Sequence, residues 1–267
     1  MNRILHRAPA SLRELTPARV ALSRAGHSIA TDEVLAFQLA HAKARDAVHA
    51  RLDAAALALR LSAELTRVGA ANIPVLELRS NAHDRATYLR HPDLGRTLHP
   101  ASAAQLARGS FDLALVIADG LSALAVERNA IPLIASLLPS LIADQWSIAP
   151  IAVVVEGRVA VADPIGEGLG ARCSLVLIGE RPGLSSPDSL GAYLTWAPRP
   201  GRMDAERNCL SNIRSGGLDA ETAAARLHWL LRAARTRQLS GIALKEGSLE
   251  LEGEGSGRDQ ASSPHLP

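Results

Sequence analysis

Several runs in this 267-residue chain are apolar at every position, and nothing else in it constrains the fold as much. LALVIAD at 113–119 and SLVLIGE at 174–180 hold such runs between their polar ends, with no alternation of apolar and polar residues. A strand of that kind cannot turn either face to water, so it belongs in a sheet covered by helices on both sides. Runs suited to strands occur at 75–78, 113–117, 151–155, 175–178 and 193–196, with longer helical stretches between some of them. This pattern predicts an α/β fold with a doubly wound, mostly parallel sheet of the flavodoxin/Rossmann-like kind. The helical stretch at 121–142 contains Pro132 and Pro139, which are expected to bend or divide it. In VVVEGRVAVAD, Glu156-Gly157 lies between two β-branched runs and reads as a tight hairpin turn.

An N-terminal helical region precedes the sheet. Residues 1–18 read as a loose polar leader, interrupted by Pro9 and Pro17. Thr31 can cap a helix whose first turn carries Asp32 and Glu33, acids that the helix dipole favours there. Val34, Phe37, His41, Val48 and Leu52 recur at three- and four-residue steps, giving one or two amphipathic helices up to about Gly69. Near the other end Asp219 opens a last helix, with Leu227, Leu230, Leu231 and Ala234 on one face and Gly241 beyond it. The expected organisation is a leader and helical region (1–72), an α/β domain (73–246) and a disordered Gly/Ser/acid-rich tail (247–267).

Composition closes off several function classes. Twenty-nine basic residues against 27 acidic ones give a net charge of only +2, with no basic run for nucleic acid to dock on. Seven aromatics are too few for a stacking platform, while 47% apolar residues suffice for an aliphatic core. Cys173 and Cys209, the two cysteines, lack metal-site spacing and form no disulfide framework. The start has no apolar core of signal-peptide length, and no uncharged apolar run reaches 18 residues. A reduced, cytoplasmic protein with no membrane span is expected.

Three motifs invite chemistry. In VIADGLSALAV a strand, a turn at Asp119-Gly120 and Ser122 imitate a nucleophile elbow, but the second glycine is missing. Beyond Ser122 the histidines are His228, mid-helix, and His265, in the tail. A helix cap is the expected role of Ser122. Gly166, Gly168 and Gly170 lack the strand-turn-helix setting of a dinucleotide site and read as a short helix ending on glycine. No histidine grouping suggests a metal, and no catalytic residue or metal ligand is assigned. What does gather is a polar cluster at strand ends: Asp119-Gly120, Glu156-Gly157 and Gly179–Gly183, with DAERNCLSNIRSGG read as a functional loop beyond. Ligands of open α/β sheets bind at such ends.

These same residues resemble the small (light) subunit of adenosylcobalamin-dependent ethanolamine ammonia-lyase. The resemblance covers about residues 16–246. It is carried by SRAG (23–26), AHAKARDAVHARL (40–52), TYLRHPDLGRTL (87–98) and VIADGLSALAV (116–126). It continues in EGRVAVADPIGEGLGAR (156–172), LIGERPGLSSPDSLGAYLTWAPRPGR (177–202), DAERNCLSNIRSGGL (204–218) and LSGIALK (239–245). It implies conversion of ethanolamine to acetaldehyde and ammonia by a radical mechanism. Substrate would be bound by the large (heavy) subunit, with cobalamin at the interface between the two subunits. Three cofactor contacts map onto Val159, Glu180 and Cys209. Val159 suits the apolar rim of the ring system, Glu180 accepts from amide or hydroxyl donors, and Cys209 is compact and polarisable. No histidine has an aspartate two residues before it, so a base-on cofactor is expected. The second location the family allows is a bacterial microcompartment, against which the short N-terminal extension argues. Two rivals stand beside this reading: a stand-alone hydrolase using Ser122, and a cobalamin-binding or assembly module without lyase activity.

Overall fold

A computed structural model describes residues 16 and 18–244; the leader up to residue 15 and the tail from 245 lie outside the described residues. A two-residue ladder, β1 (Arg24–Ala25) with β2 (Ser28–Ile29), precedes the helices α1 (Thr31–His49) and α2 (Ala54–Arg67). Ala30, not Thr31, occupies the cap of α1 and offers no side chain to it. The break between the helices falls at Asp53, whose carboxylate accepts from the Ala56 amide at 2.9 Å. That bond satisfies one of the orphan donors of α2.

The remaining elements build one six-stranded sheet: β3 (Val75–Arg79), β4 (Phe111–Ala118), β5 (Ile151–Val155), β6 (Ala171–Gly179), β7 (Leu190–Trp196) and β8 (Arg207–Ile213). Its spatial order is β3-β5-β4-β6-β7-β8. The first four strands are parallel, and β7 then β8 each pair antiparallel to their neighbour. The expected doubly wound, mostly parallel α/β sheet is thus present, with a strand order of its own.

Both faces are covered, as the all-apolar strands require. On β4, Leu113, Leu115 and Ile117 enter one core layer with α2, α5 (Ala123–Ala143) and α7 (Ala220–Arg237). Ala114, Val116 and Ala118 enter the other with α6 (Ala162–Leu169). Two shorter helices, α3 (Arg85–Arg90) and α4 (Pro100–Ala103), lie between β3 and β4. Because α5 follows β4 and α6 follows β5 onto opposite faces, a crevice opens at the carboxyl ends of these strands.

Three expectations are corrected. The helix at 123–143 is not divided: it continues through both prolines. Pro132 and Pro139 are exposed and seven residues apart, on the outer side, where water can take the freed carbonyls. Leu133, Ile134, Leu137, Leu138 and Leu141 hold the inner side in the core. By length and composition α5 could cross a membrane, but that apolar side is packed against the sheet.

Glu156-Gly157 makes no hairpin. The chain leaves β5 through a single 3-10 turn at Val159–Val161 and enters α6 directly. Burial of Val161, Ile165 and Leu169 in the second core layer overrides the β-branched pattern. Residues 207–213 form the edge strand β8 instead of a loop, burying Arg207, Leu210 and Ile213, half-burying Asn208 and exposing Cys209, Ser211 and Asn212. Other expectations agree with the structure: Asp219 caps α7 through the Thr222 amide, and Gly170 closes α6 in the left-handed conformation at φ 74°.

Candidate functional site

The carboxyl ends of β4, β5 and β6 meet at Asp119-Gly120, Glu156-Gly157 and Gly179-Glu180. Their close approach depends on glycine. A Cβ on Gly179 would lie 2.1 Å from the Ser122 carbonyl oxygen, and one on Gly120 would lie 2.2 Å from that of Gly179. Gly120 also takes φ 56°, where L side chains are strained. Glu156 holds φ 57° without that excuse. Its carboxylate is drawn inward to Arg85.

Beneath the strand ends lies a buried ionic cluster. Arg85 comes from α3 and is 4% exposed. Its Nη1 donates to Glu156 Oε2 at 3.0 Å, to the Gly120 carbonyl at 2.8 Å and to Asp119 Oδ2 at 3.4 Å. Its Nε donates to the Val48 carbonyl at the end of α1 (2.8 Å), so one guanidinium ties four elements together. Asp119 is fully buried and accepts from the Gly157 amide at 3.1 Å. Two carboxylates share one cation here. Burial first, and then the charge of Glu156, raise the Asp119 carboxyl to about 7. The Tyr88 ring lies under both Arg85 (4.9 Å) and Arg158 (4.2 Å), and its hydroxyl donates to the Gly157 carbonyl at 3.1 Å.

Above this floor opens a cleft of about 410 Å³, with Tyr88, Arg158, Val159, Glu180 and Tyr193 in its walls. Val159 begins the 3-10 turn after β5. It also borders a neighbouring depression of about 530 Å³, which contains Arg96, Arg202 and Asp204. Glu180 follows the last residue of β6. Its carboxylate accepts from the Ser189 hydroxyl, from the Ser211 hydroxyl at 2.6 Å and from the Asn212 amide at 3.2 Å. Those bonds fix it across the ends of β6, β7 and β8 and leave about one of its roughly four lone-pair positions for a ligand.

Cys209 lies opposite Tyr193 in the β7–β8 register, and the two side chains are hydrogen-bonding partners. Cys209 is exposed and lies behind Tyr193, not in the cleft wall itself. The three residues expected from the sequence therefore share one neighbourhood: Val159 and Glu180 in the cleft, Cys209 one side chain away. Arg85, Tyr88, Arg158 and Tyr193 escaped sequence reasoning. They act through contacts between distant segments, and no local pattern marks them.

The other motifs are structural. Ser122 is fully buried. Its hydroxyl accepts from the Ala125 amide at 3.2 Å and donates to the Pro187 carbonyl at 2.8 Å, which makes it the α5 cap. His228 is not among the hydrogen-bond partners of Ser122, which are the Pro187 carbonyl and the Ala125 amide; it bonds instead to Asp144 at 2.8 Å. Among the described residues no group of three or more His, Cys, Asp or Glu side chains could hold a metal ion.

Comparison with known proteins gives a consistent picture. The model of a family described as ethanolamine ammonia-lyase light chain matches residues 7–245. A protein of Azotobacter vinelandii named ethanolamine ammonia-lyase small subunit is 56% identical over 254 residues, covering 92% of each chain. Proteins of the same name from Ralstonia nicotianae and Pseudomonas putida are 56% and 51% identical. They cover 89% and 94% of this chain, and 88% and 96% of their own.

Proposed function

The chain belongs to the ethanolamine ammonia-lyase light chain family, and on that footing we propose that it is the small subunit of an adenosylcobalamin-dependent lyase, holding the cofactor against a large subunit that binds ethanolamine. The observation that carries this reading is the convergence of Val159 and Glu180 on one cleft at the strand carboxyl ends, with Cys209 adjoining. The donor set fits the group. Depressions of about 410, 450 and 530 Å³ adjoin one another, with Arg158 in the wall of each. Together they offer a broad, shallow surface to a large ring system. Arg158 Nε is buried there with no hydrogen-bond partner, an orphaned donor of the kind that an amide-rich ligand satisfies.

When bound, adenosylcobalamin supplies the adenosyl radical on which the conversion to acetaldehyde and ammonia depends. This chain's residues bind and orient. Glu180, already held rigid by three donors, keeps an oxygen available to an amide N–H or hydroxyl of the ligand. Val159 offers an apolar edge, and Tyr193, with Cys209 behind it, forms the wall beyond. The arginine cluster below braces the floor, since Arg85 fixes the Gly120 carbonyl directly beside the cleft. The cofactor is base-on in this reading: the chain lacks the aspartate–histidine spacing that would replace its lower base. The assembly is cytoplasmic.

The test is acetaldehyde release from ethanolamine by this chain co-purified with a lyase large subunit. Turnover that needs both adenosylcobalamin and this chain is expected. Turnover by the large subunit alone would refute the assignment, and stable association without turnover would favour an assembly role.

A further inference from the structure

Past Leu121, Arg158 and Arg181 the cleft continues into a second depression of about 450 Å³. Its opposite wall is the last turns of α1, with His41, Arg45 and His49, while Val48, Leu89 and Leu121 supply aliphatic surface. No aspartate or glutamate lines it. Arg158 is fixed in place by its Tyr88 contacts, donating from Nη2 to the Tyr88 carbonyl at 3.3 Å, and its buried Nε has no partner. The buried arginines Arg85 and Arg207 also leave one nitrogen each without a hydrogen-bond partner, but both are paired with carboxylates, as Arg158 is not. Among the described residues no carboxylate lies within ion-pair distance of Arg158 or Arg181, and Arg45 has only a 3.9 Å approach from exposed Asp46. Cations that converge without counter-charge on a partly apolar hollow are complementary to an anion carried on an apolar body.

We propose that this basic extension seats the phosphodiester of the cobalamin nucleotide tail, with Arg158 and Arg181 as its donors and Leu89, Leu121 and Val48 against the adjoining sugar and ring. The inference rests on the reading of the chain as a cobalamin-holding subunit. An acidic segment of the large subunit would match the same charges, and the test separates the two.

In the two-subunit complex, equilibrium dialysis compares cyanocobalamin with dicyanocobinamide, which keeps the corrin but lacks phosphodiester and base. Arg181 is exposed, so Arg181→Gln leaves the fold intact. The expected result is a loss of about tenfold to a hundredfold in cyanocobalamin affinity, the range of a charge-assisted hydrogen bond. Arg181→Lys should retain most of the affinity, and dicyanocobinamide should be bound alike by wild type and variant. Unchanged cyanocobalamin affinity in Arg181→Gln, or an equal loss for both ligands, overturns the proposal. So does weakened subunit association with ligand affinity intact, which would assign these arginines to the partner protein. If the wild-type complex binds no cyanocobalamin, the underlying functional reading fails before the arginines are in question.

Discussion

Asp119 and Glu156 share one guanidinium in a space closed to water, and Asp119→Asn tests the electrostatics of that arrangement. The carboxyl of Asp119 is raised from 3.8 to about 7, chiefly by burial and then by Glu156, with Arg85 opposing. An acid that holds its proton more tightly in the folded chain stabilises the fold while protonated. That contribution is complete below about pH 4 and is lost as pH rises through about 7. At about 1.4 kcal/mol for each tenfold change in the proton equilibrium, the displacement amounts to about 4 kcal/mol. Asparagine keeps an oxygen for the Gly157 amide, now accepted at 3.1 Å, and removes the buried charge at the cost of the weak 3.4 Å approach from Arg85 Nη1. The variant should therefore match wild type within about 1 kcal/mol at pH 4, where the contribution is still nearly complete, and exceed it by about 3–4 kcal/mol at pH 8.5. Urea unfolding at both pH values measures this, followed by fluorescence of Trp146, Trp196 and Trp229, which all pack on the first core layer. Parallel pH profiles for the two proteins would refute the reasoning.

Glu180→Ala removes the carboxylate from the cleft and should weaken cobalamin binding by about 1–3 kcal/mol; unchanged affinity by equilibrium dialysis would take Glu180 out of the site. Gly179→Ala drives a methyl into the Ser122 carbonyl oxygen, 2.1 Å away, and the Asp119 carbonyl oxygen, 2.5 Å away. Its midpoint of urea unfolding should fall clearly below wild type, and an unaltered midpoint would mean that the strand ends are not rigidly packed. Arg207 forms a two-pronged pair with Asp163 at 2.8 and 2.7 Å, and both side chains are buried. Arg207→Leu should cost about 3–5 kcal/mol by stranding the aspartate, whereas the double variant with Asp163→Leu should recover much of that loss; equal losses in the two would contradict a buried-charge origin.

The sheet could be read from the chain because 113–117 and 175–178 are apolar on both faces, and only a doubly covered sheet satisfies that pattern. The edge of the sheet could not. In β8, Asn208, Cys209, Ser211 and Asn212 stand between buried Arg207, Leu210 and Ile213, a half-polar sequence that looks like a loop until pairing with β7 organises it. Residues 159–163 looked like a strand because valine favours one, and packing of α6 on the second core layer decides otherwise. The strand-end location of the candidate site was legible from glycine and acid placement, and Glu180 and Val159, expected from the family resemblance, border the cleft found there. Its ionic floor was not: Arg85 meets Asp119 and Glu156 from 34 and 71 residues away, a separation at which no periodicity operates. Cys209 was read as part of a loop and turns out to be presented by a strand, with Tyr193 between it and the cleft.

The most direct test of the central claim is equilibrium binding of adenosylcobalamin to the large subunit alone and to its complex with this chain. The account requires that tight binding appear only in the complex and weaken with Glu180→Ala. Equally tight binding by the large subunit alone would contradict it.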